Sequence, residues 1–216
     1  MAAKAATALS RTKRPHPPAK LLDQLAEADF CPAPEINEFV QDTFLEQDSK
    51  LYNEDHAHLF NAIIGFMWTN VPNSRRDKTI VGMAEIPKPP TVAGKWEKAR
   101  YELQLRSWFG DLTPDFVITI DANYAAVCPD IAFCSLIEHE LYHCGQKLDE
   151  FGGPKFKKDG SPVYSIVGHD VEEFVGIVRR YGAKAGAGET ARLIAAAKKT
   201  PLIGEADVLK VCGSCK

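Results

Sequence analysis

His139-Glu140-Leu141-Tyr142-His143 brings two imidazoles and a carboxylate into five consecutive residues. On a helix, histidines four apart stand one turn above each other on the same face, so both rings can reach a single metal ion. The glutamate beside the first histidine then sits where it can take a proton from a water molecule activated by that metal. With six histidines and fifteen glutamates in 216 residues, chance gives this pattern about once in a hundred such sequences. The pattern is selective, and it needs a third ligand.

A catalytic zinc usually takes three protein ligands and keeps one position open. Two stretches compete to supply the third. Asp149 lies six residues past His143, as in an extended HExxHxxGxx(H/D) pattern, but that pattern needs glycine at 146 and this chain has Gln146. The stronger candidate is GHDVEEF, residues 168–174, where His169, Glu172 and Glu173 fall at i, i+3 and i+4 of an expected helix. They share the face opposite a stripe of Val171, Phe174, Val175 and Val178. His169 is the expected third ligand and Glu172 or Glu173 the alternative, with the remaining carboxylates orienting the imidazoles.

The other reactive residue types form weaker patterns. His56 and His58 are two apart, a spacing that points in different directions on a helix, and read as surface. Cys212 and Cys215 are half of a zinc knuckle without its second half, and read as an incidental exposed pair. Cys144 projects away from His143 and reads as core. Tyr164 would stabilise a developing oxyanion if a hairpin before it folded over the site.

The elements that must position these groups follow from periodicity and punctuation. The motif falls within a helix expected over residues 129–145, with Pro129 and Asp130 suited to its start and Gly145 to its stop. Phe133, Ile137, Leu141 and Leu148 give it an apolar side to bury. Strands are expected at 79–86 and at 115–120, DFVITI. Helical spacing appears at 35–45 and again at 54–68, through Leu59, Ile63, Phe66 and Met67; a weaker helical pattern runs through Leu22, Leu25 and Ala26. Residues 96–108 fit either helix or strand. Asp159-Gly160 marks a hairpin within 155–164, and further helices are expected at 169–180 and 189–199. Together these elements make an α+β domain.

Composition sets the outer bounds. At 45% hydrophobic, 25% charged and net charge −3, the chain reads as one ordinary soluble domain, long enough to bury a core without disulfides. No apolar run approaches the roughly 20 residues that span a bilayer, and no signal-peptide pattern opens the chain. The scattered cysteines fit a reducing compartment. Residues 1–20, with Lys4, Arg11, Lys13, Arg14, Lys20 and three prolines but no acid, read as a mobile basic arm. The division expected is an arm at 1–20, a catalytic domain at 21–182, and a helix with a loose tail at 183–216.

The DFVITID strand, the helix carrying IEHELYHCG and the later GHDVEEF together resemble the phage metallopeptidases, a zincin-like group of phage and prophage genomes. The resemblance spans about residues 30–182, and Tyr124 departs from it where a tryptophan is expected. It implies a zincin-like fold, a small mixed sheet packed on helices with an HExxH active-site helix, and a strand ending near Asp121 beside the site. It also implies zinc (Zn2+) held by His139, His143 and His169, with Glu140 as general base. The expected activity is hydrolysis of peptide bonds, with strand 115–121 as the edge that aligns an extended substrate. The partner would be a peptide or protein, with no membrane, in the cytoplasm of a phage-infected or lysogenic bacterium. Two alternatives stand beside it: a non-catalytic metal-stabilised interaction module, which would have no use for Glu140 as a base, and a nucleic-acid-associated protein using the basic arm.

Overall fold

The computed structural model describes residues 13–23, 25–49, 51–75, 78–171, 178, 189–204, 206 and 211–212. A small mixed sheet and the helices packed against it make an α+β fold. The strands are β1 (Phe30–Pro32), β2 (Ile64–Thr69), β3 (Ser74–Arg75), β4 (Lys78–Glu85), β5 (Phe116–Asp121), β6 (Cys144–Gln146), β7 (Tyr164–Ile166) and β8 (Val211–Cys212). The helices are α1 (Pro34–Val40), α2 (Lys95–Phe109), α3 (Ala122–Val127), α4 (Asp130–His143) and α5 (Glu189–Ala197).

The main sheet runs β1-β2-β5-β4-β3, with β8 added to β4. β2 and β5 are parallel, whereas β4 and β5 are antiparallel. Ile64, Phe66 and Trp68 of β2 join Phe116, Ile118 and Ile120 of β5 in the core cluster, together with Phe39 of α1 and Phe133 and Ile137 of α4. Phe133 ties these layers together, its ring lying 6.0 Å from Phe39 and 6.2 Å from Trp68.

Residues 54–68 do not form the expected helix. A 3-10 turn, Glu54–Leu59, is capped by Asn53, whose side chain accepts from Asp55 N–H; β2 follows. Every residue of β2 is buried. A strand covered on both faces reads as a continuous apolar run, and within such a run helical spacing arises by accident. Residues 96–108 belong to helix α2, which is exposed along most of its length. It starts where Gly94 N–H donates to Glu97 Oε2 and stops at Gly110, whose φ of 69° suits glycine. The weak pattern near Leu22 resolves only into a single 3-10 turn, Ala19–Leu21.

The strand expected as an edge is interior. β5 lies between β2 and β4, and Phe116, Val117, Ile118 and Ile120 are buried, the signature of a strand enclosed on both faces. β4 lies on its outer side, and β3 and β8 pair with β4 in turn.

Residues 13–20 are part of the folded body and not of a mobile arm. Arg14 donates to the carbonyls of Ala125 and Cys128, pairs with Asp130 at 2.9 Å and stacks 4.6 Å from the Phe133 ring. Composition cannot show that one arginine has a buried set of carbonyl acceptors waiting for it. Among the described residues no helix is long and apolar enough to cross a membrane.

Candidate metal centre

Helix α4 is held by its apolar side, where Ala132, Phe133, Leu136, Ile137 and Leu141 are buried. Leu148, expected to extend that stripe, lies beyond the end of the helix and is exposed. With the stripe fixed against the sheet, His139 and His143 are carried on another face, one turn apart. His143 is 2% exposed. Its Nδ1 lies 2.6 Å from the Val167 carbonyl, and its own carbonyl accepts from Val167 N–H at 2.9 Å. A carbonyl only accepts, so Nδ1 carries the proton and the lone pair of Nε2 faces outward.

His169 arrives from the other direction, three residues past β7 and outside any helix. Nε2 of His139 lies 3.3 Å from Nε2 of His143 and 3.2 Å from Nε2 of His169. The three ring centroids are 5.0 to 5.1 Å apart, and the three ligand atoms fall within 4.8 Å of one another. Three imidazole nitrogens converging this tightly crowd their lone pairs, an arrangement relieved by one shared cation. The cluster opens into a cleft of about 470 Å³, bordered also by Tyr142, Val167 and Leu193 of α5.

Glu140 is completely buried, on the side of α4 that meets β4. Gly82 makes that meeting possible: a Cβ there would lie 2.6 Å from Glu140 Oε1 and 2.9 Å from Leu136 Cδ1. Any side chain would displace the carboxylate or the strand. Sequence reasoning passed over Gly82, although a glycine inside a strand signals close approach of another group.

A family model described as "Putative phage metallopeptidase" matches residues 37–198, three quarters of the chain. The chain belongs to this family. No curated protein and no solved structure gives a significant match. Membership and the histidine cluster together indicate a metal-dependent, peptidase-like protein.

The remaining candidates separate cleanly. Asp149 is not with the histidines; its carboxylate accepts from Phe151 N–H and Gly153 N–H, both at 2.9 Å, and closes its own turn. Glu172 and Glu173 lie outside the described residues, as does most of the helix expected at 169–180. Cys144 is buried, and burial pushes its thiol well up. The Tyr164 ring packs on Phe116 at 5.0 Å, in the core and not over the cleft. Cys212 lies in β8, and Cys215 falls outside the described residues.

His56 is not a surface group, and His58 is half-buried. His56 is 1% exposed, packs edge-on against Tyr142 at 4.5 Å, and burial followed by the neighbouring His58 lowers its pKa to about 4. His58 Nε2 reaches the carbonyl of Cys144 at 2.7 Å, at the end of α4. Asn53 donates to Glu138 Oε1 at 2.8 Å and to the Tyr142 hydroxyl at 2.9 Å; that hydroxyl donates onward to Asp55 at 2.9 Å. This network holds α4 at residues directly beside His139 and His143, and the sequence carries no spacing signal for it.

Proposed function

We propose that the chain is a zinc-dependent metallopeptidase of zincin-like architecture, in which His139, His143 and His169 hold the metal and Glu140 is the general base. The observation that carries the reading is the convergence of the three Nε2 atoms at 3.2 and 3.3 Å. Zinc–imidazole bonds of about 2.0–2.1 Å in a tetrahedral site place ligand nitrogens roughly 3.3–3.4 Å apart. Three neutral imidazoles also suit zinc, and three protein ligands leave a position open for chemistry.

When bound, the metal would polarise the scissile carbonyl and acidify the attacking water. Glu140 would accept that water's proton and return it to the leaving amine. Its burial against β4 keeps the carboxylate in one place and away from bulk solvent. His143, locked by Val167, keeps Nε2 presented to the site throughout the cycle. The outer edge of β4, adjoining Glu140 at Gly82, would align an extended peptide or protein substrate by backbone pairing. The cytoplasm of a phage-infected or lysogenic bacterium, where free thiols persist, is the compartment proposed.

The test is Glu140→Gln. The amide is nearly isosteric and the histidines remain, so metal content and unfolding should be unchanged while cleavage of a denatured-protein mixture falls by about 10²- to 10⁴-fold. Equal rates at equal zinc occupancy would refute the base assignment; no cleavage by either form would favour the non-catalytic module.

A further inference from the structure

Resting on the peptidase reading, we propose that residues 201–204, 206 and 211–212 lie along the path meant for an extended peptide, so that the chain holds its own later residues there as a displaceable competitor. Three contacts trace the path. Leu193 of α5 borders the histidine cleft, which brings the C-terminal region to the site. Residues 201–204 and Ala206 then face Ile131, Ser135, Glu138, His139 and Tyr142 of α4 across a cavity of about 430 Å³. At one point the approach is tight, since a Cβ on Gly204 would fall 2.5 Å from Ile131 Cδ1. Finally β8 pairs in parallel with β4, matching Ile80 with Val211 and Gly82 with Cys212.

The last pairing decides what the segment mimics. Gly82 is the residue that abuts Glu140, so β8 hydrogen-bonds the sheet edge beside the buried carboxylate. An exposed strand edge recognises backbone and tolerates many side chains; its ligand class is extended polypeptide. A tail on that edge excludes a substrate of the same class. The hold is weak by construction: among the described residues β8 is only two residues long, Leu202 is fully exposed, and a cavity lies between residues 201–204 and Ala206 and α4. Short pairings with few buried contacts open readily.

Occupancy reduces apparent affinity by the fraction of open groove; a groove about nine-tenths filled binds about tenfold more weakly. In the full-length chain, Val211→Pro and Cys212→Pro each remove a strand N–H, with Val211→Ala as the control that keeps it. The probe is a labelled Val/Ala octapeptide, followed by fluorescence anisotropy, with hydrogen exchange at Gly82; the Ile80 N–H, which donates to the Asn73 carbonyl at 3.0 Å, serves as the reference that should not change. The proline variants should bind the octapeptide about tenfold more tightly, exchange faster at Gly82, and cleave a quenched peptide library about tenfold faster. A full chain with a specific protease site between Lys199 and Thr200, folded and then cut, should reproduce the gain if a proline variant does not fold. Affinity equal to that of wild type in the proline and cut forms overturns the proposal and leaves the peptidase reading standing. Tighter octapeptide binding without cleavage by any zinc-loaded form sustains the tail and sinks the peptidase reading.

Discussion

The histidine cluster joins two regions held by opposite means. His139 and His143 ride on α4, whose apolar side is sealed into the core and whose final residue is bonded to Val167 at both ring and carbonyl. His169 stands on an exposed stretch past β7. Two of the proposed ligands and the proposed base are therefore set by the same burial that folds the domain, whereas the third depends on how a loop returns. The helix half should answer to substitutions through stability and the loop half through metal affinity.

The largest effect should split the two halves. His143→Ala removes a proposed ligand and leaves the part-buried Val167 carbonyl without its donor, so metal retention should be lost and the metal-free chain destabilised by about 0.5–1.5 kcal/mol. His169→Ala should weaken metal binding by orders of magnitude yet shift metal-free unfolding by less than about 0.5 kcal/mol. Chelator competition and urea unfolding read the two quantities separately. Asp149→Ala should leave metal affinity untouched. Equal destabilisation by both histidine substitutions would erase the distinction.

Gly82→Ala probes the helix half without touching a ligand. The added methyl must push Glu140, Leu136 or β4 aside, at a cost of about 1–3 kcal/mol typical of overpacking. Metal content should hold while turnover falls, and unchanged turnover would mean that the carboxylate has slack.

An effect comparable to that of Gly82→Ala lies in pH. His56 is neutral when folded, with a pKa of about 4 against an ordinary 6.5. Below 6.5 the unfolded chain binds a proton that the folded chain does not, so stability falls with pH through about 4. The loss by pH 5 should be about 2 kcal/mol. Because His56 packs on Tyr142 of α4, acid reaches the helix half first. In His56→Phe that share of the pH dependence should vanish; a parallel slope would assign it elsewhere.

What could be read from sequence divides along the same line. The motif helix, β4, β5 and the turn at Gly160 all have local signatures, and each appears within a residue or two of its expected bounds or, at Gly160, with the positive φ a tight turn requires. GHDVEEF marks His169 as the expected third ligand from its residues alone, but the helix face expected to present it does not include His169. The misreadings share one cause. β2 passed for a helix and β5 for an edge because local patterns report burial and not which neighbour does the burying. His56 looked superficial and Arg14 mobile for the same reason, since both are held by partners more than 80 residues away in the chain.

Val167 has one further consequence. It meets His143 across 23 intervening positions and stands two residues before His169, so it clamps the base of the excursion between the proposed ligands. The tip of the excursion, where Phe151 and Phe156 have exposed rings, can change without disturbing the paired β6 and β7 at its base. Doubling the excursion would add only about 0.6 kcal/mol of closure entropy. The domain thus carries an insertion point beside its histidine cluster, where chain can be added while the three nitrogens keep their spacing.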